Sequence, residues 1–195
     1  MLRFCGYGGT ATLSHLGTSY ALALSRLAPH GISGVIMITF SRTMLVGGEF
    51  LDEQTLRIHG ILEDNIYAME IQMDVNLTDR TILALQGQMK RYTTPVCPQA
   101  LGFLQRAVGI SLREEGWISR INREVGQKGC QHFAEILIEC GRCLDSALLS
   151  QTIREARKEN PSVDSQTIAR FWVEDHSEVQ GSCVARPHKE ARHAR

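Results

Sequence analysis

The stretch from Tyr67 to Leu77 constrains this chain more than any other. Tyr67, Met69, Ile71, Met73, Val75 and Leu77 alternate with Ala68, Glu70, Gln72, Asp74 and Asn76. Successive side chains of a strand point to opposite faces, so this period of two places every apolar group on one side of a sheet. Upstream, Leu56, Ile58 and Leu62 alternate with Arg57 and His59, and Glu63-Asp64-Asn65 reads as a turn. Downstream, Thr78-Asp79 turns the chain, and Arg80 to Lys90 is expected to return as a strand with Leu83, Leu85 and Met89 inward. Such short connections join antiparallel strands, giving a meander with one wet face and one dry face. A short apolar run, Val35 to Phe40, is expected as a first strand, with Gly47-Gly48 breaking the chain after it.

The dry face needs a cover, and the rest of the sequence offers helices. Pro98 sits well in the first turn of a helix running to Val108, with Leu101, Leu104 and Val108 on one side. Ser111 and Glu114 have the spacing of a capping box for a second helix, which presents Trp117, Ile121 and Val125 and stops near Gly126. A long helix is expected from about Cys130, with Phe133, Ile136, Leu137, Cys140, Leu144 and Leu148 recurring at helical spacing. It fades in the charged run Arg154 to Glu159, and Ser162 to Glu174 reads as a last short helix with Ile168 and Trp172 docking. The expected fold is therefore α+β: a three- to four-stranded antiparallel meander covered on one face by three to four helices. The expected organisation is a poorly ordered lead-in over 1–34, one α+β domain over 35–174 and a disordered tail over 175–195.

Composition narrows the function classes. The net charge is +0, so the sequence carries no footprint for nucleic acid or for an anionic membrane surface. No apolar run approaches a membrane span, and Ser14, His15 and Gly17 interrupt the only patch resembling a signal segment. Six cysteines in 195 residues, unevenly spaced, do not make a disulfide scaffold. Free thiols in a reducing cytoplasm are the simpler account.

Two thiols and an imidazole fall at element boundaries instead of inside apolar stripes. Cys97 lies between Pro95 and Pro98, after the meander and before a helix. Two prolines fix the backbone there, which suits a thiol that must point one way; the alternative is a small buried hydrophobe. Cys130 and His132 form a C-x-H pair at a helix start, where residues two apart can converge because the first is not helical. Free N–H groups and the helix dipole are expected to lower the Cys130 pKa and favour the thiolate. With Cys97 they offer two sulfurs and one nitrogen, a donor set for zinc or an iron–sulfur cluster. Asp64 lies in a turn that would swing toward the helix ends, although a turn aspartate commonly bonds only its own backbone. Cys140-Gly141-Arg142-Cys143 is a C-x-x-C, but its mid-helix place argues for packing over redox chemistry.

These residues carry a resemblance. The run from about Arg57 to Ile153 resembles a bacterial family catalogued as domain of unknown function 2889. Its members share a Cys-Pro element after a β meander, a Gly-Trp, and a Gly-Cys-Thr-His-Leu stretch before a helix. Here these read Cys97-Pro98, Gly116-Trp117 and Gly129-Cys130-Gln131-His132-Phe133, so Gln131 and Phe133 replace Thr and Leu. That resemblance implies no activity. The chain is also similar, more distantly, to the U-type scaffold proteins of iron–sulfur cluster assembly and their zinc-binding relatives. By that resemblance Cys97 stands for the second scaffold cysteine and Cys130 with His132 for the His/Cys pair. Asp64 would substitute for the first cysteine, which favours zinc over a robust cluster.

The expected function is an accessory protein that binds metal through Cys97, Cys130, His132 and Asp64, as a zinc or iron–sulfur scaffold or carrier. A protein partner fits that role; nucleic acid and membrane do not. The alternatives are a non-catalytic structural or partner-binding subunit and a cysteine-dependent thiol enzyme with Cys130 as nucleophile and His132 as base.

Overall fold

The structure, a computed structural model, describes residues 38–182. Four strands form one sheet in the order β1-β2-β3-β4: β1 Arg42–Phe50, β2 Thr55–Asp64, β3 Ala68–Asn76 and β4 Ile82–Arg91. Every neighbouring pair is antiparallel. The alternation translates directly into burial: Leu56, Ile58, Leu62, Met69, Ile71, Met73 and Val75 are each no more than 1% exposed. Burying each of these contributes about 1.5–3 kcal/mol, so this layer, not the surface ion pairs, holds the sheet to its cover. The opposite face is wet and self-paired. Arg57 grips Asp74 directly across the strands through two bonds of 2.7 and 2.8 Å, and Lys90 reaches Glu70 at 2.7 Å.

Two strand expectations are corrected. Among the described residues the first strand is Arg42–Phe50, after the run Val35 to Phe40. Of that run, 35–37 lie outside the described residues and 38–40 have no regular structure; the strand runs through Gly47-Gly48 instead of ending before it. As an edge strand, β1 can tolerate two glycines because only its β2 side needs pairing. In β4 Ile82 and Leu85 are buried and Met89 packs against the core as expected, while Leu83 points outward and is 47% exposed. The pairing passes from Val75↔Ile82 to Asp74↔Ala84, leaving Leu83 as the extra residue of a bulge. One inserted residue flips the alternation on the bulged strand.

The cover is helical. The segment after β4 is a 3-10 turn at Cys97–Ala100, one α turn, α1, at Leu101–Leu104, and a 3-10 turn at Gln105–Ala107, not the single helix to Val108 that was expected. The Ser111–Glu114 capping box does not form: Ser111 bridges to Thr81 and bonds the Asp79 carbonyl at 2.7 Å. The helix α2, Trp117–Ile121, begins after Gly116 at φ 80°, and widens into a π turn at Asn122–Gln127. The expected long helix is two, α3 Gln131–Arg142 and α4 Leu144–Glu159, meeting at Cys143. Asp164 caps α5, Ser165–Asp175, by accepting the Thr167 N–H at 2.9 Å.

Helix α3 lies closest to the sheet. Its buried side chains Phe133, Ile136, Leu137 and Cys140 share one core with β2 and β3. Gly60 of β2 makes this possible: a Cβ there would stand 2.5 Å from Ile136 Cγ2 and 2.6 Å from Cys140 Sγ. A smaller cluster of Trp172, Val173 and Val179 packs on Leu148 and Leu149 of α4. The lead-in expected over 1–34 lies outside the described residues. So does the tail beyond 182; before it, Ser177–Val179 is a 3-10 turn with Val179 buried. No helix among the described residues is long and apolar enough to cross a membrane.

Candidate functional site

One end of the sheet gathers the candidate residues. There β1 begins, β2 ends, β3 begins and β4 ends, as the pairs Arg42↔Asp64, Glu63↔Ala68 and Ala68↔Arg91 require. The segment leaving β4 carries Cys97 past this end. Helix α3 starts over it, with Cys130 as its extended N-cap residue at φ −138° and ψ 122°.

Asp64 closes the β2–β3 turn. Its Oδ1 accepts the N–H groups of Ile66 at 2.7 Å and Tyr67 at 2.6 Å, so the local aspartate turn is present. Its Oδ2 also accepts Arg42 Nε at 2.9 Å and lies 2.8 Å from the second Arg42 nitrogen. The Arg91 guanidinium donates to the Asp64 carbonyl. Burial opposes the charge on Asp64, but the Tyr67 and Ile66 N–H groups and Arg42 outweigh it and hold its pKa below the ordinary value.

Arg42 then links Asp64 to the helix. Its guanidinium stands 3.2 Å from His132 Nε2 and 3.4 Å from a Glu135 carboxylate oxygen. The Tyr67 ring lies against the imidazole with centroids 4.2 Å apart. The other ring nitrogen, His132 Nδ1, is 3.8 Å from Cys130 Sγ. Tetrahedral zinc with Zn–S of about 2.3 Å and Zn–N of about 2.0 Å sets its sulfur and nitrogen ligands about 3.5 Å apart, so this pair is spaced close to one edge of such a site. Burial, and then the Arg42 charge, push the His132 pKa down against the carboxylates of Glu135 and Asp64.

The two thiols differ. Burial pushes the Cys130 pKa up; the Phe133 and His132 N–H groups recover only part of this, and negative charge at Cys97 and Glu135 adds to the rise. The lowered Cys130 pKa expected from the helix start is therefore corrected: desolvation exceeds the dipole. Cys97 shows the opposite balance. Burial works against its thiolate, yet the Thr94 and Thr93 hydroxyls and N–H groups bring its pKa below the ordinary value. Those hydroxyls lie 3.3 Å and 3.7 Å from Cys97 Sγ, and Thr93 is in turn 3.3 Å from the Tyr67 hydroxyl.

Asp64 and His132 share Arg42 and Cys130 lies beside His132, whereas Cys97 is linked to them only through Thr93 and the Tyr67 hydroxyl, and no three His, Cys, Asp or Glu side chains among the described residues form a ready metal-holding group. Arg42 occupies the space between Asp64 and His132 that a shared ion would need. Cys140 is fully buried on the core side of α3, its pKa pushed by burial up to about 12, in keeping with the packing role. His59 is half-exposed and pairs with Glu49 at 3.0 Å. Two open hollows of about 540 Å³ and 750 Å³ flank α4, and none of the four candidate ligands lines either. Sequence reasoning missed Arg42, Tyr67 and Glu135. Placing the first strand too early hid Arg42, Tyr67 was counted only as apolar, and Glu135 sits one helical turn beyond His132.

No curated protein and no solved structure matches the chain. The matched family span contains Arg42, Asp64, Cys97, Cys130 and His132, so the whole cluster lies inside it. The family described as "Protein of unknown function (DUF2889)" matches residues 42–144, more than half of the 195-residue chain, and the chain belongs to that family.

Proposed function

We propose that this protein is a metal-binding accessory protein, a scaffold or carrier that holds zinc or an iron–sulfur cluster between Asp64, Cys97, Cys130 and His132. One observation supports the reading: Asp64 at the end of β2 and His132 at the start of α3 share Arg42, with Cys130 beside His132 and Cys97 joined to them through Thr93 and the Tyr67 hydroxyl. The Cys130–His132 spacing of 3.8 Å adds support. A donor set of two sulfurs, one nitrogen and one carboxylate suits zinc better than a cluster, which prefers thiolates throughout. The likeness to the U-type scaffolds favours a carrier role, although those have three strands in the meander where this chain has four. Free thiols at Cys97 and Cys130 are in keeping with a cytoplasmic setting.

A thiol enzyme is less well supported. It needs Cys130 to give its proton to His132, yet burial raises the thiol and lowers the imidazole. A non-catalytic partner-binding subunit is favoured by one feature: Leu45 and Ile61 oppose each other on the wet face and are both exposed. Elemental analysis of protein purified without oxygen separates these readings. The metal reading predicts bound zinc or iron that Cys130→Ser removes; absence of metal, or metal content unchanged by that substitution, rejects those ligands.

A further inference from the structure

The cluster contains a cation already, and its chemistry bears on how metal would enter. A guanidinium only donates hydrogen bonds, so the 3.2 Å contact from Arg42 makes His132 Nε2 the acceptor. In a neutral imidazole the proton is then on Nδ1, where it points to Cys130 Sγ at 3.8 Å. Nδ1 is the nitrogen spaced to share an ion with Cys130, and in this tautomer its lone pair is blocked.

Two routes to ligation exist, and Arg42 obstructs both. Ligation through Nδ1 requires the proton to move to Nε2, where an N–H would face guanidinium N–H groups. Ligation through Nε2 requires the ion to take the position Arg42 holds. Asp64 is engaged likewise, its Oδ2 bonded to Arg42 at 2.9 Å. Arg42 itself has room to leave. Its side chain is 33% exposed, it is the first residue of the edge strand, and Glu135 at 3.4 Å is weakly held and exposed. Once Arg42 withdraws, a carboxylate beside Nε2 can accept its proton, the usual way a metal-binding histidine is oriented.

We propose that Arg42 is a latch on this site: its guanidinium holds His132 in the non-ligating tautomer and occupies Asp64, so a metal ion enters only as Arg42 swings out. The proposal rests on the metal reading above for its consequence, but not for its first test. Nitrogen NMR of labelled histidine in metal-free protein should show the Nδ1–H tautomer at His132, shifting toward Nε2–H in Arg42→Gln. An Nε2–H tautomer in the unsubstituted protein overturns the latch whatever the protein binds. The second test titrates zinc against a chromophoric chelator. Arg42→Gln should bind zinc about tenfold more tightly, the scale on which groups just outside a metal shell act, with Arg42→Lys in between. Equal or weaker binding in Arg42→Gln overturns the latch while leaving the metal reading intact. No zinc binding by any of the three proteins overturns the metal reading and the latch's role with it. Arg42→Lys keeps the charge beside Asp64, so it serves as the folded control if Arg42→Gln is unstable.

Discussion

Substituting Gly60 by alanine tests the contact that positions the site. The new Cβ would stand 2.5 Å from Ile136 Cγ2 and 2.6 Å from Cys140 Sγ. Carbon atoms rest about 3.5–4.0 Å apart, so α3 must lift by about 1 Å or Ile136 must leave its rotamer. Overpacking of this kind costs about 1–3 kcal/mol. Against it, replacing a strand glycine lowers the entropy of the unfolded chain, a gain of about 0.4–1 kcal/mol. The clash wins, leaving a net loss of about 1–2 kcal/mol, or a fall in Tm of about 2–8 °C for a chain of this size. Thermal and urea unfolding of the metal-free protein measure it. Ile136→Ala removes the nearer obstructing atom, so the cost of Gly60→Ala should shrink in that background, as contacting residues couple. Because α3 carries His132 one turn before Ile136 and begins at its N-cap Cys130, the lifted helix should also weaken zinc binding. An unchanged or raised Tm in Gly60→Ala, or the same cost in both backgrounds, would refute this account of how the helix is seated.

Two further outcomes follow from the electrostatics. Asp64 has a folded pKa below the ordinary carboxylate value of about 3.9; a depressed pKa means its contribution is fully present above that value and lost as pH falls through the folded one. Metal-free protein should therefore lose stability on acidification more steeply than Asp64→Asn in urea titrations, and parallel curves would contradict the role given to this carboxylate. Among Cys97, Cys130, Cys140 and Cys143, iodoacetamide should label Cys97 first and Cys140 last, since only Cys97 is lowered and Cys140 is pushed up to about 12. Mass spectrometry reads the order, and labelling of Cys130 ahead of Cys97 would contradict it.

The sequence was informative where one rule dominated. Strict alternation from Tyr67 to Leu77 fixed β3, because a buried face tolerates no slip in register. Gly129 before Cys130 marked the start of α3, and the turn at Asp64 was visible in its residue types. What stayed hidden depended on contacts across the chain. Gly47-Gly48 looks like a break until β2 is beside it, and the bulge at Leu83 exists only in the pairing with Asp74 and Val75. The Ser111–Glu114 spacing suggested a cap that the bridge to Thr81 overrides. The approach of Asp64 to His132 and of His132 to Cys130 follows from element order. The intrusion of Arg42 does not, because a basic residue at a strand start has no local signature. The Cys130 pKa was misjudged for the same reason: the dipole belongs to its own helix, while the burial that outweighs it comes from packing against the core.

The most direct test of the central claim is a cobalt titration of metal-free protein under argon, followed by optical absorption. The account predicts binding at one equivalent with a thiolate-to-cobalt charge-transfer band and the intense visible bands of a tetrahedral ion, with the charge-transfer band reduced in Cys97→Ser and in Cys130→Ser alike. Failure to bind cobalt, or binding with weak octahedral bands that neither substitution alters, would contradict it.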